Sequence, residues 1–170
     1  MQVVYTGEPF PEKTVKSMFL AGPTPRTADV KSWRPEALKI LRELNYNGHV
    51  FDPEFKEGPR GVKEFEYDEQ VDWETEGLNR ADTIVFWVPR NLVTMPAFTT
   101  NVEFGTWLAS GKAVFGAPPN SPKNKYLEYK AREFNVPCFK TLEETLKHAV
   151  EYLGDGALRH NGECDVPLYI

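Results

Sequence analysis

Apolar residues in this chain come in short runs that alternate with longer segments of helical period, and turn-forming residues mark the changeovers. Ser17-Met18-Phe19-Leu20-Ala21 reads as a buried strand, and it stops at Gly22-Pro23-Thr24-Pro25-Arg26, a loop too rich in Gly and Pro to continue either element. Ser32 is placed to cap a helix from Trp33 to Glu43, with Pro35 tolerated in its first turn and Leu38, Ile40, Leu41 and Leu44 on its apolar side. After a turn over Asn45 to Gly48, His49-Val50-Phe51 is a second strand closed by Asp52-Pro53. Glu54 to Lys63 is a polar, Gly-containing loop, expected to be mobile.

From Tyr67 to Asn79 the spacing predicts a helix carrying Val71, Glu74 and Leu78 along one side, with Gln70, Trp73 and Gly77 beside them. Thr83-Ile84-Val85-Phe86-Trp87-Val88 is the most β-prone segment and should be a central strand, closed by Pro89. A loop from Arg90 to Thr99 leads to a helix with Glu103 in its first turn, then Trp107 and Leu108, and Gly111 as its C-cap. Ala113 to Gly116 is the next strand, Lys123 to Phe134 a helix and Pro137-Cys138-Phe139 a short strand. The last predicted helix, Leu142 to Leu153, opens with Thr141 followed three positions later by Glu144, a capping box. This alternation says α/β, one domain over residues 1–170 with its core in 17–153. Residues 154–170 read as an irregular tail whose apolar end, Val166 to Ile170, should pack on its own domain or on a partner.

Composition narrows the chemistry. An apolar fraction of 41% with 26% charged residues is that of a globular protein, and a net charge of −5 argues against a nucleic acid polymer as partner. No run approaches the roughly 20 apolar residues of a membrane span, and no basic region followed by a long apolar one opens the chain, so a cytoplasmic protein is expected. Cys138 and Cys164 do not make a disulfide framework, and His49, His148 and His160 lack metal-site spacing, so no metal is expected. Neither GxGxxG nor GxxxxGKS/T occurs, which disfavours a dinucleotide or P-loop cofactor and leaves none predicted.

The candidate chemistry lies in carboxylates near strand ends, where α/β folds bind ligands. Glu103 is expected at a helix start, where the dipole and free N–H groups favour its ionised form and suit it as a nucleophile, although capping places glutamates there too. Asp72 and Glu74 fit either a second acid for a retaining sugar transfer or a solvated helix face. Between them, Trp73 fits a core position or a base-stacking platform. Asp52 fits a turn before Pro53 or a ligand contact, and Thr24 and Arg26 fit an ordinary loop or a hold on a sugar hydroxyl or phosphate.

Three stretches carry a resemblance. Phe19-Leu20-Ala21-Gly22-Pro23, then Asp72-Trp73-Glu74 with Ala81-Asp82-Thr83-Ile84-Val85-Phe86-Trp87, then Asn101-Val102-Glu103-Phe104-Gly105 with Gly111-Lys112, resemble the nucleoside 2-deoxyribosyltransferase family, in its nucleoside 2-deoxyribosyltransferase-like branch. The resemblance implies a flavodoxin-like three-layer sandwich with a parallel sheet of about five strands, in homodimers or higher homo-oligomers whose neighbouring subunit completes each site. It implies Glu103 as the nucleophile that takes the sugar, Glu74 where better-studied members have Asp, and Asp72 beside it. The candidate substrate-binding set joins the strand-end residues Thr24, Arg26 and Asp52 to Gly22, Pro23, Trp73, Trp87 and Gly105 of the resembling stretches, with Thr100 and Asn101 ahead of the nucleophile. Thr100 or Asn101 stands where classical members place a further acid. The expected activity is cleavage of the N-glycosidic bond of a nucleoside or its monophosphate through a glycosyl-Glu intermediate, with transfer to another nucleobase. Water as acceptor would make a hydrolase, and loss of the chemistry a nucleotide sensor.

Overall fold

The computed structural model describes residues 1–56, 66–157 and the backbone pairing of 159–160. Among these described residues eight strands and five α-helices follow in chain order: β1 (Gln2–Tyr5), β2 (Lys13–Thr14), β3 (Ser17–Ala21), α1 (Arg34–Glu43), β4 (His49–Asp52), α2 (Tyr67–Arg80), β5 (Thr83–Trp87), α3 (Phe98–Trp107), β6 (Ala113–Gly116), α4 (Lys125–Glu133), β7 (Cys138–Phe139), α5 (Leu142–Leu153) and β8 (Arg159–His160). Six strands form one parallel sheet in the order β1-β4-β3-β5-β6-β7, while β2 and β8 pair antiparallel to each other. Without β1 this is the doubly wound, flavodoxin-like order, whose direction of winding reverses between β3 and β5.

Alternation along the strands makes the three layers. Met18, Leu20, Val50, Val85, Trp87 and Val114 point to the face covered by α1 and α5, where Ala37, Leu41, Leu146 and Ala149 are fully buried. Phe19, Ala21, Phe51, Ile84, Phe86 and Phe115 point to the other face, covered by α2, α3 and α4 through Trp73, Leu78, Phe104, Leu127 and Ala131. Strands buried on both faces have no polar side, and β3, β5 and β6 are buried at every residue.

Three sequence expectations change. The sheet has six strands rather than about five: Gln2–Tyr5 adds an edge beside β4, and only Val4 of it is buried, so its apolar signal is weak. The tail expected to be irregular carries β8 at 159–160, paired with Lys13–Thr14, while its apolar end at 166–170 lies outside the described residues, as does the part of the Glu54–Lys63 loop from 57 onward. Trp33, rather than Ser32, is the N-cap residue of α1, and the Ser32 hydroxyl accepts the Arg34 N–H from one position further out. The α5 capping box forms as expected, with Thr141 Oγ1 accepting from the Glu144 N–H at 3.1 Å. Among the described residues, no helix is long and apolar enough to cross a membrane.

Candidate active site

The switch point between β3 and β5 opens into a cleft of about 540 Å³. Its floor is the end of β3. Gly22 there has φ +154°, and a Cβ would run into the Trp87 carbonyl oxygen and the Trp33 ring, so only glycine lets the two strand ends lie this close. The loop beyond is held by Trp33, whose Nε1 donates to the Pro23 carbonyl at 3.1 Å.

One wall is α2, which presents Tyr67, Gln70, Val71, Glu74, Thr75 and Leu78 to the cleft, a stripe at helical spacing. Gly77 brings this helix close, because a Cβ there would stand 2.8 Å from the Phe19 ring. Gln70 Nε2 donates to Glu74 Oε1 at 2.8 Å and aims that carboxylate.

The opposite wall is α3 and the turn before it, from which Pro96, Ala97, Phe98, Thr99, Val102 and Glu103 face the cleft. Phe104 fixes the rotation of this helix: it is fully buried, 5.1 Å from both the Phe86 and Phe115 rings, so its neighbour Glu103 is turned to the cleft. The helix begins at Phe98, after Ala97 in a left-handed conformation (φ +60°), which makes Glu103 the sixth residue of the helix rather than a first-turn one. No free N–H or helix end then stabilises its charge, and the expectation that a helix start would favour the ionised form is overturned. Burial instead pushes the Glu103 carboxyl up to about 7, the charge of Glu74 adds to the rise, and Arg34 opposes it. Glu74 is also raised, chiefly by burial, against its bond from Gln70 and the charge of Arg34.

Behind the floor lies a buried ionic group that sequence reading missed. Arg34 is 1% exposed, yet it reaches the cleft lining. Its Nη1 donates to Glu54 Oε1 at 2.9 Å and to Thr24 Oγ1 at 3.1 Å, its Nη2 to the Gly22 carbonyl at 2.8 Å and its Nε to the Leu20 carbonyl at 3.2 Å. Asp52 stands 3.4 Å from Nε. Burial raises Asp52 to about 6, with Arg34 lowering and Glu54 raising it. The available signal was Arg34 itself: a cation in a first helical turn opposes the dipole and needs an acid from elsewhere.

A model of the nucleoside 2-deoxyribosyltransferase-like family matches residues 15–121, a span that runs from β3 through β6 and holds every residue lining the cleft. The chain belongs to that family. No curated protein matches it. Among solved structures, the solution structure of BlsM is similar, with a TM-score of 0.55 and 19% identity over 82% of this chain and 91% of that one, a likeness of fold.

In this nucleoside 2-deoxyribosyltransferase-like chain, Gly22, Pro23, Thr24, Arg26, Glu74 and Glu103 come together in the cleft. Asp52 is one contact behind it, on Arg34. Trp73 faces away, stacked on Phe10 at 4.8 Å with its Nε1 on the Glu8 carbonyl, a core position. Trp87 is buried on the α1 and α5 side of the sheet, and Asp72 and Gly105 are exposed outside the cleft. Thr100 is buried away from it, and Asn101 Oδ1 accepts from Arg90 Nη2 at 2.6 Å, again off the lining. Tyr67, Gln70, Phe98 and Val102 are lining residues that the sequence did not single out. Among the described residues no group of three His, Cys, Asp or Glu side chains is placed to hold a metal ion.

Proposed function

We propose that this cleft transfers a deoxyribosyl group between nucleobases, with Glu103 as nucleophile and Glu74 as the proton carrier. The observation that supports it most is the pairing of two half-buried carboxyls from different helices over the end of β3, each raised toward neutral pH. Two such groups facing one cleft share a proton, which burial lets Glu103 keep up to about pH 7, and the reactive form is the one in which that proton stands on Glu74 and Glu103 is the carboxylate.

With the proton on Glu74, a Glu103 oxygen attacks C1′ of the bound nucleoside. The C1′–N bond breaks, its electron pair goes to the departing base, and the base takes the Glu74 proton, leaving a deoxyribosyl ester on Glu103. A ring nitrogen of a second base then attacks C1′, the ester C–O bond breaks to restore the Glu103 carboxylate, and the nitrogen's proton passes to Glu74. Two displacements at C1′ retain its configuration. Phe98 and Tyr67, both exposed at the cleft, offer aromatic faces to a base.

The test is to incubate the protein with a 2′-deoxynucleoside and a second base, follow exchanged nucleoside by chromatography, and look for the sugar ester on the Glu103 peptide by mass spectrometry. Glu103→Ala should cut exchange by about 10³-fold or more. Unchanged exchange in that variant refutes the mechanism, free deoxyribose without exchange identifies a hydrolase, and tight nucleotide binding without turnover identifies a sensor.

A further inference from the structure

The buried acids behind the floor and the acids in the cleft share one cation. Among the described residues, the charged or titratable groups around Glu74 and Glu103 are Arg34 from α1, Tyr67 from α2 and Arg26 from the loop after β3, while Asp52 and Glu54 lie behind Arg34. Arg26 is exposed at the rim, where water screens it. Arg34 is fully buried, held on four sides, and cannot leave.

We propose that Arg34 is the positioning residue of this site: a guanidinium clamped from behind by Asp52 and Glu54 that shapes the Gly22–Thr24 loop and fixes how much negative charge Glu74 and Glu103 can carry together. The proposal rests on the reaction assigned above only for its consequence, since the charges and contacts it uses are the protein's own. Both cleft carboxyls feel Arg34, each in the charge-favouring direction. Its own counter-charges set how much of its field is left over for them. Asp52 and Glu54 draw on the same guanidinium from behind, so the cleft acids are left with only part of its field, which is too little to offset the burial that raises them. Each acid removed from behind releases field to the front.

The decisive variant is Glu54→Gln, because a glutamine Oε1 can still accept from both Ser32 and Arg34 while the charge is lost. Carboxyl carbon NMR of ¹³C-glutamate-labelled protein, with Glu74 and Glu103 assigned by their own Gln variants, reads the titration without substrate. In Glu54→Gln the midpoint of the cleft pair should fall by about half a pH unit or more. In Arg34→Met it should rise, and Arg34→Lys, which keeps the charge but not the fork, should bring it back toward the natural protein. Where exchange is measurable, its pH profile should move in the same directions. An unmoved midpoint in Glu54→Gln overturns the proposal even if Arg34→Met fails to fold. Absence of base exchange in the natural protein, with the titrations moving as stated, overturns the assigned reaction and leaves the role of Arg34 standing.

Discussion

Two arginines are buried at the carboxyl end of the sheet, Arg34 after β3 and Arg90 after β5, and their partners differ in kind. Arg34 lies against two carboxylates, Asp52 and Glu54, as well as main-chain carbonyls. Among the described residues Arg90 has only neutral acceptors: Nε donates to Asn124 Oδ1 at 3.0 Å, Nη1 to the Pro96 carbonyl and Nη2 to Asn101 Oδ1, both at 2.6 Å. The first lines the cleft and the second does not. Arg90 therefore works as a staple, tying the loop of residues 88–97 to α3 and α4, with its charge spread over fixed dipoles and burial disfavouring that charge. Arg34 instead carries a field whose strength depends on the acids packed behind it, Asp52 and Glu54. A buried arginine can serve shape at one strand end and electrostatics at the next.

The widest separation of the two should come from removal. Arg34→Met leaves Asp52 and Glu54 buried without a counter-ion, and should destabilise the protein by about 3–5 kcal/mol at pH 7.5. The loss should shrink at pH 5, where Asp52 takes up a proton. The sign follows from the natural protein: Asp52 and Glu103 are raised to about 6 and about 7, so the folded state holds protons that the unfolded chain releases. Stability is then greatest below their ordinary range and falls as pH rises from about 4 to about 7. Urea midpoints of the natural protein should be higher at pH 5 than at pH 7.5, and a reversed order would contradict the raised pair. Arg90→Met should cost about 1–3 kcal/mol, mostly the unsatisfied acceptors, by the same amount at both pH values. A strong pH dependence there would abolish the distinction between staple and field. Smallest of all, Asn101→Ala should cost about 1 kcal/mol for one lost acceptor and leave base exchange within a few-fold of normal. A large fall in exchange would return Asn101 to the substrate-binding set.

What was legible in the sequence was whatever periodicity encodes. The buried strands Ser17–Ala21 and Thr83–Trp87 and the helix Leu142–Leu153 stand where their apolar spacing and capping box put them. The stripe on α2 that brings Glu74 to the cleft was equally visible, because position on a helix face is a local property. The start of α3 was not: no side chain caps it, and a left-handed alanine begins it, so neither the depth of Glu103 in the helix nor its electrostatics carries a local signal. The role of Arg34 was hidden for a different reason. Its acid partner Glu54 is 20 residues away, and only the parallel pairing of β3 with β4 brings the two together.

That pairing pattern also bears on how the chain comes together in time. Among the described residues the central sheet contains no hairpin, and its two innermost partners, β3 and β5, pair from Met18 and Thr83 onward, just after the bond between Ser17 and Asp82, 65 residues apart. Loop closure of that length must precede any reward from the contacts, so folding should be slow for a domain of this size and limited by docking β5 onto β3. On a ribosome, the residues of the cleft's floor would emerge well before the strand that completes it, and during that interval the apolar edge of β3 would be the surface most in need of a chaperone's cover.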